Sequence, residues 1–171
     1  MLERYVYKNQ KKLRCGYTTG TCACAAAKAA AQMLLSGKDV LEVNVETPMG
    51  VHLQLPVEKI VRGVESVSCA IKKDSGDDPD VTNGIYIYAE VSYVISKNVI
   101  IDGGIGIGRI TKKGLQRPIG EAAINPVPLK MIADGVSDIA DRYSYEGGLK
   151  VVISAPEGVE IAKKTFNPQL G

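Results

Sequence analysis

Small apolar residues cluster in one stretch of the chain, GYTTGTCACAAAKAAAQMLL, at positions 16–35. Alanine and cysteine fill most of this stretch, and larger apolar side chains come only at its end. Threonine is a fair N-cap, and glycine suits the left-handed position that follows a helix. The pattern therefore predicts a helix that begins after Thr19 or Thr21 and ends at Ser36-Gly37. Because its side chains are so small, we expect this helix to lie unusually close to its neighbours.

Alternation of apolar and polar residues predicts strands in most of the remaining chain. LEVNVETPMGVHLQLPV, residues 41–57, has the pattern of a hairpin with a turn at 47–50, which places His52 on the polar face of its second strand. A further strand is expected from Val64 to Ile71. The sequences IYIYAEVSYVI and LKVVISA, which begin at Ile85 and Leu149, predict two more strands.

Two further helices are expected in the C-terminal part. Asn125-Pro126 starts the first, since proline is tolerated in the first turn of a helix. Its apolar stripe recurs at helical spacing and consists of Ile132, Val136, Ile139, Ala140 and Tyr143. The segment EGVEIAKKTFNP predicts a short final helix.

Hairpin-type strands with separate helices, and no strict strand–helix alternation, indicate an α+β fold. We expect a two-layer domain with a largely antiparallel or mixed sheet and the alanine-rich helix packed on it. The 171 residues fit one domain. A second domain is expected to begin after the FNPQLG sequence at the end of the chain.

Composition narrows the functional classes. The net charge of +2, the single Phe and the absence of Trp argue against a nucleic-acid-binding surface. Four cysteines and one histidine without paired spacing indicate reduced thiols in a cytoplasmic protein, with no zinc site. Lys28 and Gln32 interrupt the apolar helix, so we expect no membrane span. The N-terminal segment is basic but lacks the apolar core of a signal peptide.

The threonine-rich start of the first helix is one candidate site. Helix N-termini offer unpaired N–H donors and a partial positive charge, which suit a carboxylate or a phosphate. Thr18, Thr19 and Thr21 would surround such an anion. An N-cap on a closely packed helix explains the same residues equally well.

An acidic loop, GDDPDVTNG at 76–84, is a second candidate. Its carboxylates, Asp77, Asp78 and Asp80, suit a cation, ribose hydroxyls or a proton, and Asn83 adds an amide. The spacing is not that of a calcium-binding EF-hand loop. The same residue types are also the commonest turn formers, and that explanation is favoured about two to one.

A glycine-rich segment, IDGGIGIGRITKKGL, is the third candidate. Its glycines do not match the G-x-G-x-x-G spacing of a dinucleotide-binding turn. They predict instead a glycine-rich strand, including Gly104 and Gly106, that a flat ligand or another backbone can approach closely. Four cations follow, with Glu121 as the nearest carboxylate, and they form either a solvated loop or a polycarboxylate-binding surface: Arg109, Lys112, Lys113 and Arg117.

Together the three candidate stretches resemble a known family. RCGYTTGTCACAAAKAA, GDDPDVTNG and IDGGIGIGRITKKGL followed by PIGEAAINPVP are similar to the motifs of the CbiD family, in family order, from about Leu13 to Phe166. These proteins are cobalt-precorrin-5B (C-1)-methyltransferases of anaerobic cobalamin biosynthesis. The resemblance implies S-adenosyl-L-methionine as the methyl donor. It also implies a second, C-terminal domain that docks on residues 1–171, and it allows for a homo-oligomer.

The resemblance also implies roles for the candidate residues. A cobalt-precorrin is a large flat macrocycle edged by acetate and propionate groups. The implied substrate-binding residues are Thr18, Thr19, Thr21, Gly104, Gly106, Arg109 and Lys112. The implied cofactor-binding residues are Asp77 and Asn83, and the catalytic candidates are Asp78, Asp80 and Glu121. The cobalt belongs to the substrate, so no metal site in the protein is expected.

The motifs also predict where the ligand lies. We expect the 18–21 turn, the 77–83 loop and the 103–109 segment to converge on one cleft with positive potential. Two alternatives stay open at this stage: a GHMP-type small-molecule kinase domain, whose typical Gly-Ser-Ser-Ala run the chain lacks, and a non-catalytic interaction domain.

Overall fold

The computed structural model describes residues 4–77, 80–110 and 119–165, with the backbone alone for 162–165. It confirms the α+β prediction, since helices pack on a mixed five-stranded sheet. In chain order the elements are β1 (Tyr5–Lys8), β2 (Lys11–Arg14), α1 (Thr19–Ser36), β3 (Glu42–Glu46), β4 (His52–Pro56), β5 (Glu58–Arg62), β6 (Ser66–Lys72), β7 (Tyr86–Val94), β8 (Val99–Gly103), α2 (Pro126–Arg142), β9 (Gly148–Ser154) and α3 (Pro156–Thr165).

The main sheet has the strand order β5-β6-β7-β9-β8. All neighbours are antiparallel except β8 and β9, which run parallel and are connected through α2. The hairpins β1–β2 and β3–β4 form two separate two-stranded sheets. The sheet is therefore mixed, because one parallel pair lies at its edge.

Helix α1 lies at the centre of the protein. It packs on β6 and β7 and beside α2, while β3 covers a further side. Residues 21–27 and 29–31 are at most 4% exposed. The Sγ of Cys69 on β6 donates to the Ala26 carbonyl at 3.2 Å, and the Sγ of Cys24 donates to the Met131 carbonyl of α2 at 3.3 Å. A helix that is apolar on all sides is a buried one, so the predicted close packing is confirmed.

Most of the elements predicted from periodicity are present. The β3–β4 hairpin buries Val43, Val45, Leu53 and Leu55 and leaves His52 on its exposed face. The apolar face of β7 and the stripe of α2 are also buried, except at their last positions. Tyr93 and Tyr143 remain 39% and 38% exposed.

Two strand predictions need correction, and three strands were missed. The third predicted strand begins at Ser66 rather than Val64, because Gly63 and Ser66 form a turn that leaves Val64 fully exposed. The glycine-rich segment is not a strand, since β8 ends at Gly103. Beyond it, Arg109 forms only an isolated bridge to Ala122. Strands β1, β2 and β5 were not predicted at all.

Two features are absent from the described residues. None of their helices combines the length and the apolar character that a membrane span requires. In the same part of the chain, no three His, Cys, Asp or Glu side chains lie close enough together to hold a metal ion.

Candidate functional site

Strand register places the three candidate stretches at the same end of the main sheet. Lys72, the last residue of β6, pairs with Tyr86 at the start of β7. Tyr88 in turn pairs with Ser154 at the end of β9, and Ile153 pairs with Gly103 at the end of β8. Two segments therefore leave the main sheet at this same end of the strands: the loop between β6 and β7, and the glycine-rich segment after β8.

Both long helices also begin at this end. The N–H of Tyr17, just before α1, donates to the Asp74 carbonyl at 2.9 Å, and its hydroxyl donates to the Lys72 carbonyl at 3.1 Å. A Cβ on Gly20 would meet the Pro128 ring in the first turn of α2 at 2.7 Å. The partial positive charges of two helix N-termini are therefore close together here.

The N-cap of α1 is a threonine as expected, but it is Thr18, so the helix begins at Thr19 and slightly earlier than predicted. The Thr18 Oγ1 accepts from the Thr21 N–H at 3.1 Å and also lies 3.1 Å from the Thr21 hydroxyl. Thr21 is 1% exposed, so its side chain supports the cap from inside. Thr18 is exposed and Thr19 is half-buried, which leaves these two threonines accessible at the helix end.

A buried lysine organises the loop that follows β6. Lys73 is 7% exposed, and its Nζ donates to Asp80 Oδ2 at 2.9 Å and to Thr82 Oγ1 at 2.6 Å. The other carboxylate oxygen of Asp80 accepts from the backbone N–H and the hydroxyl of Thr82. Hydrogen bonds from Lys73 and Thr82 lower the pKa of Asp80 from 3.8 to about 2. Asp80 is therefore a permanently ionised anchor of its loop at neutral pH.

The start of this loop is fastened to β2. The guanidinium of Arg14 donates to both carboxylate oxygens of Asp74, at 2.7 and 2.8 Å, and the hydrogen bond from Arg14 lowers the pKa of Asp74. Arg14 also exchanges two hydrogen bonds with Asp77, through its N–H at 2.6 Å and its carbonyl at 2.9 Å. Beside them Gly16 and Gly76 pass so closely that a Cβ on either would overlap the opposite backbone.

Asp77 and Asn83 are both partly used to hold the loop. Asp77 Oδ2 accepts from Arg14, and Asn83 Oδ1 accepts from the Ser75 N–H at 2.9 Å. Both residues are exposed, and among the described residues no partner meets Asp77 Oδ1 or Asn83 Nδ2. The Ser75 hydroxyl is buried without a hydrogen-bond partner among the same residues. The loop thus offers two exposed polar groups, on Asp77 and Asn83, that an incoming ligand can still bind, while the Ser75 hydroxyl is closed to solvent.

The glycine-rich segment packs on its own chain. Gly104 donates its N–H to the Ile153 carbonyl at 2.7 Å, and the Ile105 carbonyl accepts from the Ala155 N–H at 2.8 Å. Gly106 has φ of +83°, and a Cβ there would overlap the Ala155 carbonyl. The absence of side chains at these glycines is therefore explained by close contact with the end of β9.

Arg109 is held against the end of β8. Its guanidinium donates to Asp102 Oδ1 at 2.5 Å and to the Gly103 carbonyl at 2.7 Å. The hydrogen bond from Arg109 lowers the pKa of Asp102. Both side chains remain more than 40% exposed, so this pair lies at the surface and is partly neutralised.

The other predicted residues divide into two groups. Glu121 is exposed and its carbonyl accepts from the Ile110 N–H, which places it next to the Arg109–Ala122 bridge. Asp78 and Lys112 lie outside the described residues, as do Lys113 and Arg117.

Among the described residues, direct contacts join two of the three stretches. The turn before α1 and the start of the acidic loop touch through Tyr17 and Asp74. The glycine-rich segment lies at the same sheet end, but β7 and β9 separate it from the acidic loop. At about 4.8 Å per strand spacing, the ends of β6 and β8 are roughly 14 Å apart. A single cleft that includes all three stretches remains a prediction.

None of the predicted site residues lines either of two surface cavities formed by the described residues. One, of about 470 Å³, lies between α1, α2 and the β3–β4 turn and includes Cys24, Lys28 and Asp134. The other, of about 290 Å³, lies at the opposite end of the sheet, beside Lys97 and Tyr145.

Sequence reasoning missed the partners of the predicted residues, namely Arg14, Lys73, Asp74 and Asp102. Only the burial of Lys73 could have been inferred from the alternation of buried and exposed residues. Lys73 continues the inward alternation of Val67, Cys69 and Ile71, so its burial follows from the period of β6. The other three depend on contacts between distant segments.

Comparison with known proteins places this arrangement in a family. A relative from Ruminiclostridium cellulolyticum, described as a cobalt-precorrin-5B C(1)-methyltransferase, is 55% identical over 99% of this chain and 44% of its own length. One from Alkaliphilus metalliredigens with the same description is 53% identical over 99% of the chain and 44% of its own length. The chain thus spans less than half the length of these relatives.

A solved structure agrees with the fold. The crystal structure of a cobalamin biosynthesis protein (cbiD) from Archaeoglobus fulgidus matches 98% of this chain and 52% of its own, with a TM-score of 0.66 and 31% identity. The sequence model of the CbiD family matches residues 6–171. The chain therefore belongs to the CbiD family and corresponds to the N-terminal portion of its full-length members.

Proposed function

We propose that this chain is the N-terminal portion of a cytoplasmic enzyme that methylates C-1 of cobalt-precorrin-5B, giving cobalt-precorrin-6A, with S-adenosyl-L-methionine as methyl donor. The observation that carries the proposal is the identity of more than 50% over 99% of the chain to relatives described as cobalt-precorrin-5B C(1)-methyltransferases. We expect the C-terminal half that those relatives possess to dock on this chain and to complete the site.

The sheet end described above fits a large anionic substrate. The N-termini of α1 and α2 supply positive potential, and Thr18 and Thr19 supply accessible hydroxyls. Arg109 is held at the end of β8, roughly 14 Å across the sheet from the end of β6. The proposed substrate therefore spans from the start of α1 to the end of β8, with carboxylates held at both ends.

The methyl donor brings an electrophilic methyl group on a positively charged sulfur. The free polar atoms of Asp77 and Asn83 fit the hydroxyl and amine groups of such a molecule, because both atoms face solvent at the same loop. Methyl transfer depends mainly on positioning and on the surrounding charge. We propose that this loop, held rigid by Lys73 and Arg14, positions the donor.

The carboxylates are unequal candidates for proton transfer. Asp80 has a pKa of about 2 and an ion pair with Lys73, which makes it a weak base at neutral pH. We therefore propose that Asp80 maintains the loop, whereas Glu121 or Asp78 assists the proton loss from the ring. Glu121 and Asp78 are both among the catalytic candidates that the sequence predicts.

A chimaeric enzyme tests this proposal. The N-terminal portion of the Ruminiclostridium cellulolyticum relative is replaced by this chain, and methyl transfer from labelled S-adenosylmethionine to cobalt-precorrin-5B is measured. The intact relative is the positive control, and ATP with Mg²⁺ in place of the methyl donor tests the kinase alternative. We expect the chimaera to transfer the label. A folded chimaera that stays inert beside an active relative contradicts the proposal.

A further inference from the structure

The β1–β2 hairpin forms a two-stranded sheet of its own that is exposed except at its base, where Leu13 and Arg14 are half-buried. Every residue of β1 is exposed, including Tyr5 at 45%, Val6 at 47% and Tyr7 at 77%. An isolated two-stranded hairpin is at best marginally stable in water, and exposed aromatic side chains add nothing to its folding. The hairpin therefore displays apolar surface that the described part of this chain does not cover.

The same hairpin is strongly basic. Residues 4–14, RYVYKNQKKLR, contain five cations and no carboxylate. Arg14 is paired with Asp74, and Lys12 lies 4.4 Å from the centre of the Tyr5 ring. Lys8 and Lys11 make no ion pair among the described residues. Within that part of the chain, four cations thus remain without a carboxylate partner beside two exposed tyrosines.

The two faces of the hairpin differ. The antiparallel register pairs Tyr5 with Arg14 and Tyr7 with Lys12, so these four side chains share one face. Val6, Leu13, Lys8 and Lys11 share the other face. We call the first set the tyrosine face and the second set the valine face.

The base of the hairpin is joined to the candidate site. Arg14 is bonded to Asp74 and Asp77, and Cys15 forms a bridge with Gly76. Two residues further on, Tyr17 is bonded to Asp74 just before α1 begins. The hairpin therefore rises directly from the sheet end where we place the substrate.

We propose that the β1–β2 hairpin is a substrate-binding arm whose tyrosine face contacts a flat, carboxylate-edged macrocycle. Tyr5 and Tyr7 pack on the ring face, and Lys12 pairs with a carboxylate at its edge. The match of charge supports this ligand class, since the arm carries only cations and a precorrin carries acetate and propionate groups. The inference rests on the proposed function and assigns a part of the site that the family motifs do not include.

Paired variants on the two faces test the arm. The probe is cobyrinic acid, a corrinoid with free carboxylates, titrated into the chimaera described above and followed by its visible absorbance. Lys12→Gln and Tyr7→Ser change the tyrosine face, whereas Lys11→Gln and Val6→Ser are matched controls on the valine face. We expect each change on the tyrosine face to weaken binding about fivefold and each control to weaken it less than about twofold.

A second probe separates charge from packing. Cobinamide carries amides in place of the carboxylates, so Lys12→Gln should affect cobyrinic acid far more than cobinamide. Tyr7→Ser should weaken the binding of both. Equal affinities for all four variants, with wild-type binding intact, overturn the arm and leave the proposed function standing. If the folded wild-type chimaera binds neither corrinoid, the arm is overturned, whereas the proposed function is decided separately by methyl transfer in the same chimaera.

Protein stability provides the remaining control. The changed side chains are exposed, so the thermal midpoint of all four variants should match that of the wild type. If Tyr7→Ser and Lys12→Gln lower the midpoint without changing corrinoid affinity, the tyrosine face is a structural contact and the proposal is wrong.

Discussion

Replacing Asp80 by Asn should destabilise the protein at neutral pH and have less effect in acid. The change removes the carboxylate that pairs with the buried Lys73 Nζ at 2.9 Å. Folding lowers the pKa of Asp80 from 3.8 to about 2, and a tenfold change in an acid dissociation constant corresponds to about 1.4 kcal/mol, so the upper limit is about 2–3 kcal/mol. Because the Asp80 side chain is 33% exposed, solvent screening reduces the expected loss to about 1–2 kcal/mol.

The sign of the pH dependence follows from the direction in which the pKa moves. Folding lowers the pKa of Asp80, so its contribution is fully present above pH 4 and is lost as the pH falls toward 2. The difference in unfolding free energy between wild type and Asp80→Asn should therefore be constant from pH 7 to pH 5 and shrink below pH 4. Urea unfolding followed by far-ultraviolet circular dichroism at pH 7, 5, 4 and 3 measures this difference.

A surface pair provides the matched control. Asp39 pairs with Arg62 at 2.7 Å, but its side chain is 59% exposed. Asp39→Asn should cost less than about 0.5 kcal/mol at every pH. If Asp80→Asn is as mild as this control, or if its effect is unchanged at pH 3, the ion pair does not hold the loop as described.

Two further predictions concern the buried helix and the thiols. Ala26→Leu should lower the unfolding free energy by about 1–3 kcal/mol, because Ala26 is fully buried against β6. Gln32→Leu, at a half-buried position of α1, is the control. Equal urea midpoints for the two variants would argue against close packing of the helix. In the native protein at pH 8, only the half-buried Cys15 should react quickly with a thiol reagent, whereas all four cysteines should react after denaturation. Burial raises the pKa of the other thiols to about 12, 11 and 12, for Cys22, Cys24 and Cys69, so a second fast native thiol would contradict their placement.

Periodicity predicted the elements that bury one face. The β3–β4 hairpin, β7, α2 and β9 all have an apolar side that recurs at the period of their structure, whereas α1 was predicted from its run of small residues and its caps. The β1–β2 hairpin was not predicted, because the residues of β1 are exposed on both faces and its apolar residues therefore follow no burial pattern. Strand β5 was not predicted either. Lys59 has a positive φ of 56° and the register with β6 shifts beside it, which interrupts the alternation of apolar and polar residues.

The candidate site was predictable in its residue types but not in its pairings. Turn-forming and helix-capping residues have local preferences, so a threonine cap and the acidic loop followed from the sequence, although the cap lies at Thr18 and not at Thr19 or Thr21. Arg14 and Asp74 are 60 residues apart, and nothing local indicates that they meet. Nor does anything local indicate that Gly106 lies against Ala155 at the end of β9, the contact that explains why a glycine is needed there.

Hydrogen–deuterium exchange with a bound corrinoid tests most directly whether this sheet end holds the substrate. Exchange in the chimaera with the C-terminal half of the Ruminiclostridium cellulolyticum relative is compared with and without saturating cobyrinic acid, peptide by peptide. The account predicts slower exchange in residues 4–21, 73–77 and 103–109, with no change around the groove that Lys28 and Asp134 line. Protection confined to that groove, with the sheet end unaffected, would contradict the proposed location of the substrate.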